Sequence, residues 1–145
     1  MPQLKTRPAA VFFDLDGTLV DTADDLAAPV NHMREARGLK PLPLEEYWPF
    51  ASAGSRGLLH IGLGATTDDP DYPALRTEFL NRYEQEIAVH SRLFDGMPEL
   101  LAWLEANGIR WGVISNKLEY LVRRLVQQLG LGHRVTLAYG GDTAP

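Results

Sequence analysis

The chain has no cysteine among its 145 residues, which removes disulfide frameworks and thiolate chemistry and fits a reducing compartment. Basic residues are in the minority, with 14 Lys and Arg against 19 Asp and Glu for a formal net charge of -5. Such a balance offers no basic stripe for nucleic acid or for an anionic membrane surface, and neither is expected as a partner. Long apolar runs are also lacking. The one that starts at Pro8, after Lys5 and Arg7, stops at Asp14, so it is neither a signal segment nor a membrane span and reads as a buried first strand. No internal repeat or low-complexity tract is present. The four histidines, His32, His60, His90 and His133, lack metal-ligand spacing and take ordinary surface or core roles. The cytoplasm is the default compartment. A hydrophobic content of 45% is enough to bury a core, either of a single domain or of one core with an insertion.

What is present is concentrated in Val11-Phe12-Phe13-Asp14-Leu15-Asp16-Gly17-Thr18-Leu19-Val20-Asp21-Thr22, where an apolar strand delivers two carboxylates to the mouth of a turn. Alternation sends Asp14 and Asp16 to the same side of an extended segment, so that one can attack while the other moves protons, and the pair points to phosphoryl chemistry. Gly17 lets the chain turn sharply, and the Thr18 hydroxyl can hold the carboxylates in place. A bare Asp-x-Asp reads more readily as a strand end with solvated acids; the full string reverses that preference.

Beyond the turn, Ala23, Leu26, Ala27, Val30 and Met33 recur at helical spacing, with Thr22 as a cap, Gly38 as a close, and Pro29 as a kink or a shifted boundary. A short helix is expected over residues 44–50, and another starting near Ser55 with Leu58, Leu59 and Ile61. A third, over 74–89, carries a stripe of Leu75, Phe79, Tyr83 and Ile87 widened by Leu80. Residues 22–90 thus form a small helical bundle inserted after the first strand. From Gly96 the pattern alternates: a helix over 97–107, a strand over 110–115, a helix over 118–129 and a strand over 135–139. Alternation of this kind predicts parallel strands joined by right-handed crossovers, with ligands bound beyond the carboxyl ends of the strands, where Asp14 and Ser115 fall.

The first string resembles the opening motif of the haloacid dehalogenase (HAD) superfamily, with no mismatch at its defining positions. Asp16 argues for the superfamily's phosphatases and phosphomutases and against its dehalogenases, which lack the second acid. Trp111-Gly112-Val113-Ile114-Ser115-Asn116-Lys117 resembles the second motif, an apolar strand ending in Ser or Thr followed by Asn. The resemblance implies an α/β fold, a doubly wound, Rossmann-like parallel sheet incomplete at its C-terminus. In it, residues 1–21 and 91–145 form the core, and residues 22–90 form a helical cap that closes over the site and selects the leaving group.

By the same resemblance, Asp14 is the nucleophile that becomes an aspartyl-phosphate, Asp16 is the general acid and base, and Ser115 and the backbone N–H of Asn116 bind phosphate. Mg²⁺ is held by the carboxylate of Asp14 and the backbone carbonyl of Asp16. The third and fourth motifs, a lysine and an acidic pair, would follow a string like Gly141-Asp142-Thr143-Ala144-Pro145. The 145 residues therefore read as part of a longer phosphatase, with Val11 to Leu15 as an open sheet edge suited to self-association. Lys117 reads as a nearby loop residue and not as the missing lysine.

Gly54, Ser55 and Arg56 are the candidates for substrate contact, Arg56 either gripping a carboxylate or simply starting a solvated helix. The expected substrate is a small carboxylated phosphate ester. The arrangement resembles phosphoglycolate phosphatases, and residues 79–97 resemble N-acetylmuramic acid 6-phosphate phosphatases in particular, although Leu118 stands where relatives often have proline. A β-phosphoglucomutase-like isomerase and a non-catalytic binding fragment are the rival readings.

Overall fold

A computed structural model of the chain describes residues 8–143. In chain order the elements are strands β1 (Ala10–Asp14) and β2 (Val20–Asp21), helices α1 (Ala23–Ala36), α2 (Gly54–Leu63) and α3 (Tyr72–Gln85), strand β3 (Arg92–Leu93), helix α4 (Met97–Ala106), strand β4 (Arg110–Ile114), helix α5 (Glu119–Gln128) and strand β5 (Ala138–Tyr139). They fall into two compact units. One comprises the described residues up to Leu19 and from Leu93 onward, and the other is Val20–Arg92.

The first unit is an α/β layer built on a three-stranded sheet of order β1-β4-β5 with parallel pairing throughout. Register sets Val11 opposite Trp111, Phe13 opposite Val113 and Asp14 opposite Ile114. Phe13, Trp111 and Val113 are buried on one face, with the Phe13 and Trp111 rings edge to face at 6.3 Å. α5 is amphipathic: Leu121, Val122, Leu125 and Val126 are buried while Arg123, Arg124 and Gln127 are exposed. Leu101 and Leu104 of α4 complete this core.

The first strand is buried on one face only, at Phe13, and not throughout as its apolar run suggests, whereas the open edge expected at Val11 to Leu15 is present. β1 lies at the edge of the sheet, and on the opposite face Phe12 and Ile114 are 42% and 51% exposed. Burial of a strand depends on what covers both faces, which an apolar run does not encode. β5 is also shorter than the expected 135–139. Residues 136 and 137 already bond to β4, Thr136 N–H donating to Trp111 C=O and Leu137 C=O accepting from Val113 N–H, but the regular ladder begins only at Ala138.

The second unit opens with β2 and ends within β3, which pair as a two-stranded ribbon, and otherwise consists of helices. α1 buries Ala23, Leu26, Ala27, Val30 and Met33, the expected stripe, and runs through Pro29, itself buried, because packing of the apolar face outweighs one lost helical bond. At its start Asp21 Oδ1 accepts Ala23 N–H at 3.5 Å, and Thr22 makes no side-chain cap bond. In place of the short helix expected over 44–50 there are two 3-10 turns, Leu44–Glu46 and Trp48–Ala53, the second running on almost to the start of α2. α3 buries Phe79 and Tyr83 but ends at Gln85, so Ile87 reaches the core from beyond the helix.

Two buried polar side chains staple this unit. Asp25 on α1 accepts from His90 N–H, Ser91 N–H (2.7 Å) and Ser91 O–H (2.6 Å), which ties the end of the unit to its beginning. Asn31, one turn and a half further on, pairs with Leu42 in both directions, Nδ2–H donating to Leu42 C=O and Oδ1 accepting Leu42 N–H, and it also accepts the Tyr47 hydroxyl. The backbone groups of His90, Ser91 and Leu42 are thereby paired within the protein.

Candidate active site

The site begins where β1 stops. Asp14 is the last strand residue and is exposed, with Oδ1 accepting the backbone N–H of Leu15 at 3.0 Å. The chain then turns: Thr18 N–H donates to Leu15 C=O and Leu19 N–H to Asp14 C=O, with Gly17 at φ 82°, a left-handed conformation that a side chain disfavours. Asp16 lies inside this turn and is buried. Pleat alternation therefore does not set its direction, as the sequence pattern suggests, because the strand has already ended. Thr18 is exposed and joins the turn through its backbone N–H.

The second strand end lies beside the first. Asp14 is opposite Ile114, so Ser115 emerges one residue beyond the Asp14 level. Ser115 is buried, its N–H donating to Tyr139 C=O and its Oγ accepting Lys117 N–H at 3.0 Å. Since the oxygen is engaged as an acceptor, the hydroxyl proton remains a donor. Asn116 is exposed. Asp14, Asp16, Ser115 and Asn116 thus belong to one sheet end of the α/β unit, whereas Gly54, Ser55 and Arg56 belong to the helical unit. There Gly54 and Ser55 open α2 and Arg56 is exposed.

Lys117 departs from its sequence reading as a mere loop residue. Its Nζ is 3.0 Å from Asp16 Oδ1, in a pair whose side chains are only 6% and 10% exposed. Its position two residues past the second strand's hydroxyl was the available signal, but the partner lies about a hundred residues earlier and only strand pairing brings the two together. Asp142 is a second residue that sequence reasoning overlooked. Its Oδ1 accepts Glu119 N–H at 2.7 Å and so supplies the cap of α5 that Leu118 cannot.

Asp14 and Asp16 offer a carboxylate and backbone and side-chain oxygens, the donors a hard divalent cation prefers, and so suit Mg²⁺ in kind. Among the described residues no group of three acidic or histidine side chains could hold a metal. Any such ion would therefore draw only part of its coordination from these residues.

A parallel α/β layer with two aspartates at one strand end and Ser-Asn at the next defines the class, and the family model described as haloacid dehalogenase-like hydrolase matches residues 11–145: the chain belongs to that family. Among its relatives, a phosphoglycolate phosphatase of Xanthomonas campestris pv. campestris is 44% identical over 136 residues, covering 94% of this chain and 61% of the relative. An N-acetylmuramic acid 6-phosphate phosphatase of Pseudomonas aeruginosa is 42% identical over 130 residues, covering 90% of this chain and 58% of the relative. The chain thus spans about three-fifths of the length of these curated relatives. The crystal structure of a predicted phosphoglycolate phosphatase from Haemophilus somnus 129PT superposes with a TM-score of 0.81 at 24% identity, covering 97% of this chain and 66% of that one, and shares the fold. No helix among the described residues is long and apolar enough to cross a membrane.

Proposed function

We propose that the full-length protein is a Mg²⁺-dependent phosphomonoesterase that hydrolyses a small carboxylated phosphate ester through an aspartyl-phosphate. The observation that carries this reading is the junction of β1 and β4, where an exposed Asp14, a buried Asp16 and a buried Ser115 share one end of a parallel sheet. In the first step an Asp14 carboxylate oxygen bonds to phosphorus while the bond from phosphorus to the ester oxygen breaks, and the departing oxygen takes a proton from Asp16. In the second, water attacks the same phosphorus and gives its proton to Asp16. The bond between Asp14 and phosphorus then breaks, releasing inorganic phosphate and restoring both carboxyl groups. The Ser115 hydroxyl and the Asn116 backbone N–H donate to phosphate oxygens. Mg²⁺, held by the Asp14 carboxylate and the Asp16 backbone carbonyl, would offset the repulsion between a phosphate dianion and an ionised aspartate.

Substrate selection falls to the helical unit as a cap, with Arg56 as the carboxylate-gripping residue beside Gly54 and Ser55. Phosphoglycolate is the first choice, supported by the 44% identical relative. N-acetylmuramic acid 6-phosphate is the second, favoured by the 42% identical relative and by the stretch from Phe79 to Met97. The test measures phosphate release from both esters by the full-length gene product, with Mg²⁺ and again with excess chelator. Release that needs Mg²⁺ is expected. A rearranged sugar phosphate without free phosphate would replace this reading by an isomerase, and no turnover of any phosphate ester would leave a binding module. Arg56→Ala should raise KM for carboxylated esters about 10-fold and leave uncharged aryl phosphates nearly unchanged; equal losses on both would remove its selective role.

A further inference from the structure

The Asp16–Lys117 pair is held more firmly than a chance contact between two loops requires. Lys117 is gripped at both ends of its backbone: its N–H donates to Ser115 Oγ, and its C=O accepts Gly141 N–H at 2.8 Å. The loop that supplies Gly141 presses against this segment so closely that a Cβ on Gly140 would lie 2.3 Å from Glu119 N and one on Gly141 2.6 Å from Asn116 O. Asp142 in the same loop caps Glu119 N–H, and Thr143 Oγ1 accepts Gly140 N–H at 2.7 Å. Two glycines, a cap and a hydroxyl thus fix the backbone from which the lysine side chain reaches Asp16 across a buried path.

We propose that Lys117 is a positioning residue for Asp16, its ammonium donating to Oδ1 so that the carboxyl group cannot rotate and the proton exchanged with the ester oxygen, carried on Oδ2, is always presented from one direction. The role rests on the phosphatase reading, because only there does Asp16 handle a proton. A fixed carboxylate matters in proportion to how much the leaving oxygen needs that proton. An alkoxide needs it; a nitrophenolate does not. A lysine serving only to offset phosphate charge would affect both leaving groups alike.

The experiment compares phosphoglycolate with p-nitrophenyl phosphate in the full-length protein, as wild type, Lys117→Met and Lys117→Arg, with thermal unfolding followed alongside so that rates are taken where each variant is folded. In Lys117→Met, kcat for the alkyl ester should fall about 100-fold and for the aryl ester less than about 5-fold, with KM little changed. Lys117→Arg keeps the charge but sets a bulkier group against Asp16, and should show the same split at about 10-fold; it carries the comparison if Lys117→Met does not fold. Equal losses on the two esters, a change confined to KM, or a wild-type rate in Lys117→Arg would overturn the inference. A wild type without turnover on either ester would instead overturn the phosphatase reading, and the inference with it.

Discussion

Each unit buries a few polar side chains, and it does so for opposite ends. In the helical unit Asp25 and Asn31 are saturated by backbone donors and acceptors of distant segments, so each acts as a structural staple. In the α/β unit Asp16 and Ser115 sit at strand ends, one against a lysine and the other with a hydroxyl proton still to donate. Burial of a polar group is therefore not itself a sign of chemistry. What the group is bonded to, and whether its neighbourhood is a strand end or a helix flank, separates the two uses.

The largest effect should come from Asp14→Asn, in which the amide oxygen can still accept Leu15 N–H. Turnover in the full-length protein is expected to fall by more than about 10³-fold with the melting temperature nearly unchanged. Phosphate release within about 10-fold of wild type would remove Asp14 as nucleophile and blur the contrast between the units. Next, Asp25→Ala strips the acceptor from three donors and should cost about 3 kcal/mol, seen as a fall of about 10 °C in Tm, while activity per folded molecule is retained. A stable variant with lost activity would reverse the assignment.

The smallest effect concerns Glu105, whose carboxyl is held below its ordinary value of 4.5 chiefly by its hydrogen bond to Arg134 and then by that to Trp111. A depressed acid stabilises the fold above the ordinary value, and that share disappears as pH falls through the depressed one. Because the side chains are about one-third exposed, solvent screening limits it to about 0.5 kcal/mol. Glu105→Gln should flatten the acid limb of a Tm against pH curve by that amount, and an unchanged curve would show that the ion pair carries no stability.

Much of this molecule is legible from periodicity. The stripes of α1 and α5, the alternation after Gly96, and the turn at Gly17 all express local preferences that residues a few positions apart decide among themselves. The same holds for the two strand-end motifs, whose residues are near in sequence to the strands that carry them. Local preference fails at boundaries settled by packing: α1 continues through Pro29, α3 stops before Ile87, and the Thr22 hydroxyl does not cap α1.

By itself the sequence determined which residues are apolar at helical or strand spacing, where the chain must turn, and that Asp14, Asp16 and Ser115 stand at strand ends. Tertiary structure alone decided that Phe12 is left exposed while Phe13 is buried, that Asp142 caps α5, and that Lys117 meets Asp16. The reason is range. Hydrophobic period and turn preference act over a few residues, whereas sheet order and a buried ion pair depend on which distant segments are brought side by side, and that choice is made by the packing of the whole layer.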